Sequence, residues 1–123
     1  MKDGSPMVFA GLWDEWTDRE TGEVIPTVSI VTIKGNEIMS RIHNNPKLNE
    51  ARMPAILLKS DQNQWLQPIQ TEEDELKLTQ WLQPIASELL ECHTVRRLKG
   101  KEALGNVPEA EEEFIYQELS SFS

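Results

Sequence analysis

The chain is poor in several residues that catalytic and structural sites depend on. Its 123 residues hold one cysteine, Cys92, and two histidines, His43 and His93. A lone cysteine rules out a disulfide within the chain and fits a reducing compartment. One Cys and two His are too few for a structural zinc site, so neither a metal nor another cofactor is expected. No apolar run approaches the length that crosses a bilayer, and the N-terminus has no signal-peptide pattern. The expectation is a cytoplasmic protein with no membrane partner. No Gly-rich phosphate loop is present. Lysine and arginine number 12 against 21 acidic residues, for a net charge of −9. Taken as a total, that charge argues against a nucleic-acid partner, because phosphate binding is driven by Lys and Arg.

The charge is unevenly spread. Lys34, Arg41, Lys47, Arg52 and Lys59 face only Glu37 and Glu50 in the same stretch. Arg96, Arg97, Lys99 and Lys101 form a second basic cluster. The acidity sits in Glu72-Glu73-Asp74-Glu75 and between Glu109 and Glu113. A local basic face on an acidic molecule is compatible with this pattern, and so is a solvated mixed-charge surface.

Four Trp and three Phe supply core anchors for one compact domain. Asp3-Gly4 is a hairpin-turn signal of the type I′ kind, followed by a strand over 7–13. With no strand before that turn, the chain reads as starting part-way through a domain. Thr21-Gly22 centres a second turn, and 24–33, rich in Val, Ile and Thr, predicts a strand pairing with the first. Asn36 reads as an N-cap for a short helix ending at His43. Asn44 to Ala51 is a polar loop, and Ala55 to Leu58 a short apolar strand. A short helix begins at Ser60. Thr71-x-x-Asp74 is a capping box for a helix to about Leu82, with Leu76, Leu78, Trp81 and Leu82 as buried positions. Gln64-Trp65-Leu66-Gln67-Pro68-Ile69 recurs as Gln80-Trp81-Leu82-Gln83-Pro84-Ile85, which reads as two helix ends stopped by Pro. One more helical turn is expected over 87–92, a final strand over 94–98, and a loosely packed tail.

No complete catalytic set appears in this pattern. Asp14 and Glu15, if extended, point to opposite faces. Cys92-His93 invites a nucleophile and base, but sequence neighbours rarely have the required geometry, and a buried structural Cys beside a surface His is preferred. His43 lies in the basic stretch at a helix end, where imidazole suits either proton transfer or the helix dipole.

Phe9-Ala10-Gly11-Leu12-Trp13, the strand 28–33, Ile42-His43 and Arg52-Met53-Pro54-Ala55-Ile56-Leu57 occur in one order. The set resembles the C-terminal portion of the SRAP family (SOS response-associated peptidase). The resemblance implies an α+β fold with an antiparallel, barrel-like sheet and short helices, of which residues 1–123 are the C-terminal portion and thus incomplete. It implies binding of single-stranded DNA and a thiazolidine crosslink between an N-terminal Cys and an abasic-site aldehyde, after removal of the initiator Met. By the same resemblance His43 is the catalytic acid–base group. Arg52 contacts DNA, with Lys47 and Arg41 beside it. The implied partners are abasic single-stranded DNA and the N-terminal half of the domain, or a second copy. Met1 is followed by Lys2 rather than Cys, so the isolated chain is expected to be inactive. Internal Cys92 has no α-amine with which to close the ring. The alternative is a non-catalytic interaction module built on the same fold.

Overall fold

The computed structural model describes residues 1–43 and 45–122. Two compact units divide the chain, residues 1–90 and 91–123.

The first unit is built on three antiparallel pairings that radiate from one point. Strands β1 (Gly11–Thr17) and β2 (Val24–Ile30) form a ribbon, with Gly11 opposite Ile30 and Thr17 opposite Val24. Asp18 closes its turn. Its N–H donates to the Glu23 carbonyl at 2.8 Å, its carboxylate accepts from the Glu20 N–H, and Gly22 supplies a φ of 75°. Strands β3 (Thr32–Lys34) and β4 (Arg52–Pro54) form the second ladder. Residues 8–10 form the third pairing, against 55–57, through a Phe9–Ile56 bridge and a Leu57 N–H donated to the Val8 carbonyl at 2.8 Å.

The three pairings meet in a closed hydrogen-bond triangle. Ala10 N–H donates to Ala55 O (2.8 Å), Ala55 N–H to Val31 O (2.9 Å), and Val31 N–H to Ala10 O (2.9 Å). Ala10 and Ala55 have no exposed surface, and a methyl group is the largest side chain such a crossing admits without spreading the strands. The expected strand 24–33 therefore breaks at Val31, where it leaves one partner for another. The strand expected over 7–13 is likewise divided, since its first residues pair with 55–57 and the rest belongs to β1.

Ile33, Met53, Ile56, Leu57 and Leu90 pack around the triangle, and Trp65, Trp81, Leu82 and Ile85 cover them in part. Helix α2 (Gln62–Trp65) and helix α3 (Glu72–Trp81) each end on the tryptophan of the repeated hexapeptide, ahead of its proline. The two indoles meet edge to face with centroids 6.5 Å apart, and Trp65 Nε1 donates to the Gly11 carbonyl at 3.1 Å. Thr71 and Asp74 make the expected capping box on α3.

Four local expectations are corrected. Asp3-Gly4 is a turn, with Gly4 N–H on Met1 O, but only Gly4 has positive φ, whereas a type I′ turn needs it at both residues. Leu76 is 65% exposed, because α3 turns only its Leu78–Trp81–Leu82 side inward. The strand expected over 94–98 is a single bridge, Val95 to Glu113. Cys92 is exposed, not buried.

In the second unit, Phe114 N–H donates to Thr94 O at 2.8 Å, and the Tyr116 hydroxyl to Val95 O at 3.1 Å. Phe114 lies edge to face with Tyr116 and carries the Arg96 guanidinium 4.9 Å from its ring centre. Among the described residues no helix is long and apolar enough to cross a membrane.

Two tests follow from this architecture. Met53 is the largest fully buried side chain, so Met53→Ala should cost about 2–5 kcal/mol in urea unfolding. The Asp74 carboxylate accepts from the Gln70 and Thr71 N–H groups, each at 3.1 Å. The Gln70 bond chiefly, with Thr71 second, holds its pKa below the ordinary 3.8. A folded value below the unfolded one gives stabilisation that is complete above the ordinary value and lost as pH falls through the folded one. The Gln70 and Thr71 amide NMR shifts should therefore move on acidification below that range, and in Asp74→Asn they should not titrate.

Candidate functional site

The residues singled out by sequence lie on one continuous segment, β3–α1–loop–β4, where α1 is Glu37–Ile42. Asn36 fixes that segment with three bonds. Its Oδ1 accepts from Met39 N–H at 3.0 Å as the N-cap, its Nδ2 donates to Ile85 O at 3.0 Å, and its own N–H reaches Met53 Sδ at 3.3 Å. Gly35, just before it, is buried and donates to Ala51 O at 2.8 Å. A Cβ at Gly35 would stand 3.2 Å from that carbonyl oxygen and 3.3 Å from Ser40 Oγ, so the close approach of α1 to the start of β4 depends on glycine.

His43 is the C-cap of α1, as expected. Its N–H closes the last turn on Met39 O at 2.8 Å, and its exposed side chain leaves the helix at the end where the dipole favours a cation. Arg41 lies in that last turn. Asn44 lies outside the described residues. Lys47 is exposed in the loop beyond, its N–H donated to Asn45 Oδ1 at 3.0 Å.

Arg52 begins β4 directly opposite Lys34. Gly35 N–H on Ala51 O and Ala55 N–H on Val31 O set the hydrogen-bonded positions of this ladder. Lys34 and Arg52 therefore form a non-hydrogen-bonded pair, where facing side chains come closest. Two facing cations repel, and Glu50 relieves the pair, with Oε1 3.5 Å from Arg52 Nη1 and Oε2 3.9 Å from Lys34 Nζ. Arg52 Nη2 also donates to Thr32 O at 2.6 Å and lies 3.3 Å from Thr32 Oγ1. Both terminal nitrogens of Arg52 thus have employment within the fold. Composition did not disclose this role, although Glu50-x-Arg52 has the two-residue spacing that puts both side chains on one face of an extended segment.

Within the second unit, His93 Nε2 meets the Glu111 carbonyl at 3.0 Å, which requires that nitrogen to carry the proton. Neither His93 nor exposed Cys92 joins the β3–β4 segment in sequence or in compact unit. Among the described residues no group of three or more His, Cys, Asp or Glu could hold a metal ion.

The fold and this segment together define an antiparallel α+β protein that carries a helix-terminal histidine and several cations ahead of the short strand β4 and the buried residues Ala55, Ile56 and Leu57. Residues 1–101 match the family described as SOS response associated peptidase (SRAP), and the chain belongs to that family. Abasic site processing protein YobE of Bacillus subtilis is 36% identical over 77 residues, which are 63% of this chain and 32% of YobE. Abasic site processing protein YoqW of the Bacillus phage SPbeta is also 36% identical over 77 residues, 63% of this chain and 31% of that protein. A crystal structure of a protein from Bacteroides thetaiotaomicron superposes with a TM-score of 0.62 at 28% identity, covering 87% of this chain and 43% of the other. The chain spans about a third of the length of the curated relatives it matches.

Substitution should separate positioning from function at this margin. Asn36→Ala should cost about 1–2 kcal/mol through loss of the cap. His43→Ala should change stability by less than about 0.5 kcal/mol, because only its backbone has a structural bond. Urea unfolding of both variants measures the contrast, and a large loss in His43→Ala would make His43 a structural residue.

Proposed function

We propose that residues 1–123 are the C-terminal portion of one SRAP domain and supply the His and Arg side of an abasic-site processing centre that acts on single-stranded DNA in the cytoplasm. The observation that carries this reading is the exposure of Arg41, His43 and Lys47 along the α1–loop segment that leads into β4 and Arg52, within the residues that match the family. Guanidinium and ammonium groups suit a phosphate backbone, and Arg52, already braced by Thr32 and Glu50, presents little side-chain freedom to lose on contact.

In the complete domain the thiol and α-amine of an N-terminal cysteine condense with the abasic-site aldehyde. The carbonyl oxygen leaves as water, and a thiazolidine ring forms. The same cysteine becomes N-terminal by removal of the initiator Met. His43 moves the proton that opens the sugar ring and later assists reversal of the crosslink, a task an exposed imidazole can perform near neutral pH. Internal Cys92 lacks the α-amine that closes the ring, so it is not the nucleophile in this scheme.

Fluorescence anisotropy with a single-stranded oligonucleotide tests the binding half. Three phosphate contacts from Arg41, Lys47 and Arg52 give a slope of about −2 in log affinity against log salt. Arg52→Ala should reduce that slope, and salt-independent binding would overturn the reading. In a reconstituted domain His43→Ala should slow crosslink reversal. A stable crosslink from the isolated chain to abasic DNA would contradict the assignment of the nucleophile.

A second reading, a non-catalytic association module, is favoured by the exposed apolar residues of β1 and β2, among them Trp13 and Val28. It expects a concentration-dependent dimer in sedimentation, indifferent to Arg52→Ala, with no DNA affinity.

A further inference from the structure

The β3–β4 ladder has one face in the core and one toward solvent. Ile33 and Met53 are buried on the first, so the alternation of extended chains puts Thr32, Lys34 and Arg52 together on the second. There Lys34 and Arg52 stand directly opposite each other in the closer kind of strand pair, which is unfavourable unless an anion lies between them. The chain supplies that anion itself. Glu50 gives one oxygen to each cation, Oε1 at 3.5 Å from Arg52 Nη1 and Oε2 at 3.9 Å from Lys34 Nζ.

This geometry describes a site for a two-oxygen anion that the chain's own carboxylate fills. A carboxylate and a phosphodiester both present two anionic oxygens on one centre, and a guanidinium fork donates to either. Glu50 is a weak occupant. The side chains of Lys34, Arg52 and Glu50 are 73%, 39% and 49% exposed, and ion pairs at such exposure contribute little. Arg52 does not depend on Glu50 alone for its orientation. Its Nη2 donates to Thr32 O at 2.6 Å, so Nη1 can exchange one anion for another while the guanidinium stays in place. A tethered carboxylate also favours a polyanion over a small one. A lone phosphate must displace it unaided, whereas one phosphate of a strand held at other cations arrives at high local concentration.

We propose that Lys34 and Arg52 form one phosphate clamp across β3–β4, and that the Glu50 carboxylate occupies it until a phosphodiester of single-stranded DNA displaces it. Lys34 shares its phosphate with Arg52, so the number of phosphates met is unchanged. Glu50 is a built-in competitor that orients the guanidinium before contact and lowers affinity for DNA. The identity of the polyanion rests on the reading of the chain as part of an abasic-site processing domain, whereas the clamp rests on the ladder geometry.

The test is fluorescence anisotropy of the full chain with an oligothymidylate at low, fixed salt, on variants shown by urea unfolding to be folded. Glu50→Gln keeps an oxygen for Arg52 but removes the competing charge, and should tighten binding about threefold. Glu20→Gln makes the same change in net charge in the β1–β2 turn and should shift affinity by less than about 1.5-fold. Lys34→Gln should weaken binding about threefold. In a background carrying both Lys34→Gln and Arg52→Gln, the gain from Glu50→Gln should vanish. Unchanged or weaker binding in Glu50→Gln, or the same gain in the background without the two cations, would overturn the proposal. Inorganic phosphate reads the clamp without DNA, through the NMR shift of the Arg52 Nε–H at constant ionic strength. That resonance should respond at lower phosphate concentration in Glu50→Gln than in the parent. If it does and the oligonucleotide does not bind, the functional reading falls and the clamp stands as an anion site. Oligonucleotide binding indifferent to Lys34 and Glu50 does the reverse.

Discussion

The first unit depends on the three-way hydrogen bonding of Ala10, Val31 and Ala55. Each residue belongs to two pairings, so no pairing can slide without breaking the other two. A one-residue slip would also exchange the two faces of a strand and turn Met53 and Ile33 toward water. Placing buried alanines where the three segments cross lets the backbones approach, and the larger side chains then fill the space around them. The position of the cationic margin follows from that crossing. The β3–β4 register it sets puts Arg52 opposite Lys34, and Gly35 brings α1 against the start of β4.

The electrostatics of the molecule divide along the same framework. The ribbon on one side of the crossing is acidic and apolar, and the β3–β4 ladder on the other carries Lys34 and Arg52 with Glu50 between them. A net charge of −9 therefore averages over a ribbon with no Lys or Arg on its strands and a ladder in which Lys34 faces Arg52. At 39% and 49% side-chain exposure the Arg52–Glu50 pair adds little stability by itself, and its larger effect is to hold a guanidinium in one orientation. That matters for a group proposed to meet phosphate, because a pre-set fork loses less freedom on binding than a mobile chain.

Sequence reading was most informative where local chemistry decides structure. Asn36 and the Thr71–Asp74 box fixed two helix starts, and the prolines of the two hexapeptides marked two helix ends. It was least informative where structure depends on a remote partner. Residues 7–13 looked like one strand, yet their two halves bond to different segments. Thr94 to Leu98 has strand-forming residues but a single bridge, because β propensity needs a neighbour to become a ladder. The spacing of Leu76 predicts burial, but α3 buries a narrower stripe. The residue type of Cys92 predicts burial, yet it is exposed in a short second unit with little core to offer. At the candidate site, His43, Arg41, Lys47 and Arg52 stood out by residue type, while the bracing of Arg52 by Thr32 and Glu50 required two strands to be in register.

The sequence by itself determined the caps, the turns, the uneven charge and the ordered motifs that carry the family resemblance, because each depends on residues within a few positions of one another. Only the tertiary structure decided that Val31 is a junction rather than mid-strand and that Arg52 is anchored on Thr32. These are properties of hydrogen bonds between residues twenty or more positions apart, such as Ala10 with Val31 or Ala55, and no local pattern encodes which carbonyl a given N–H will find.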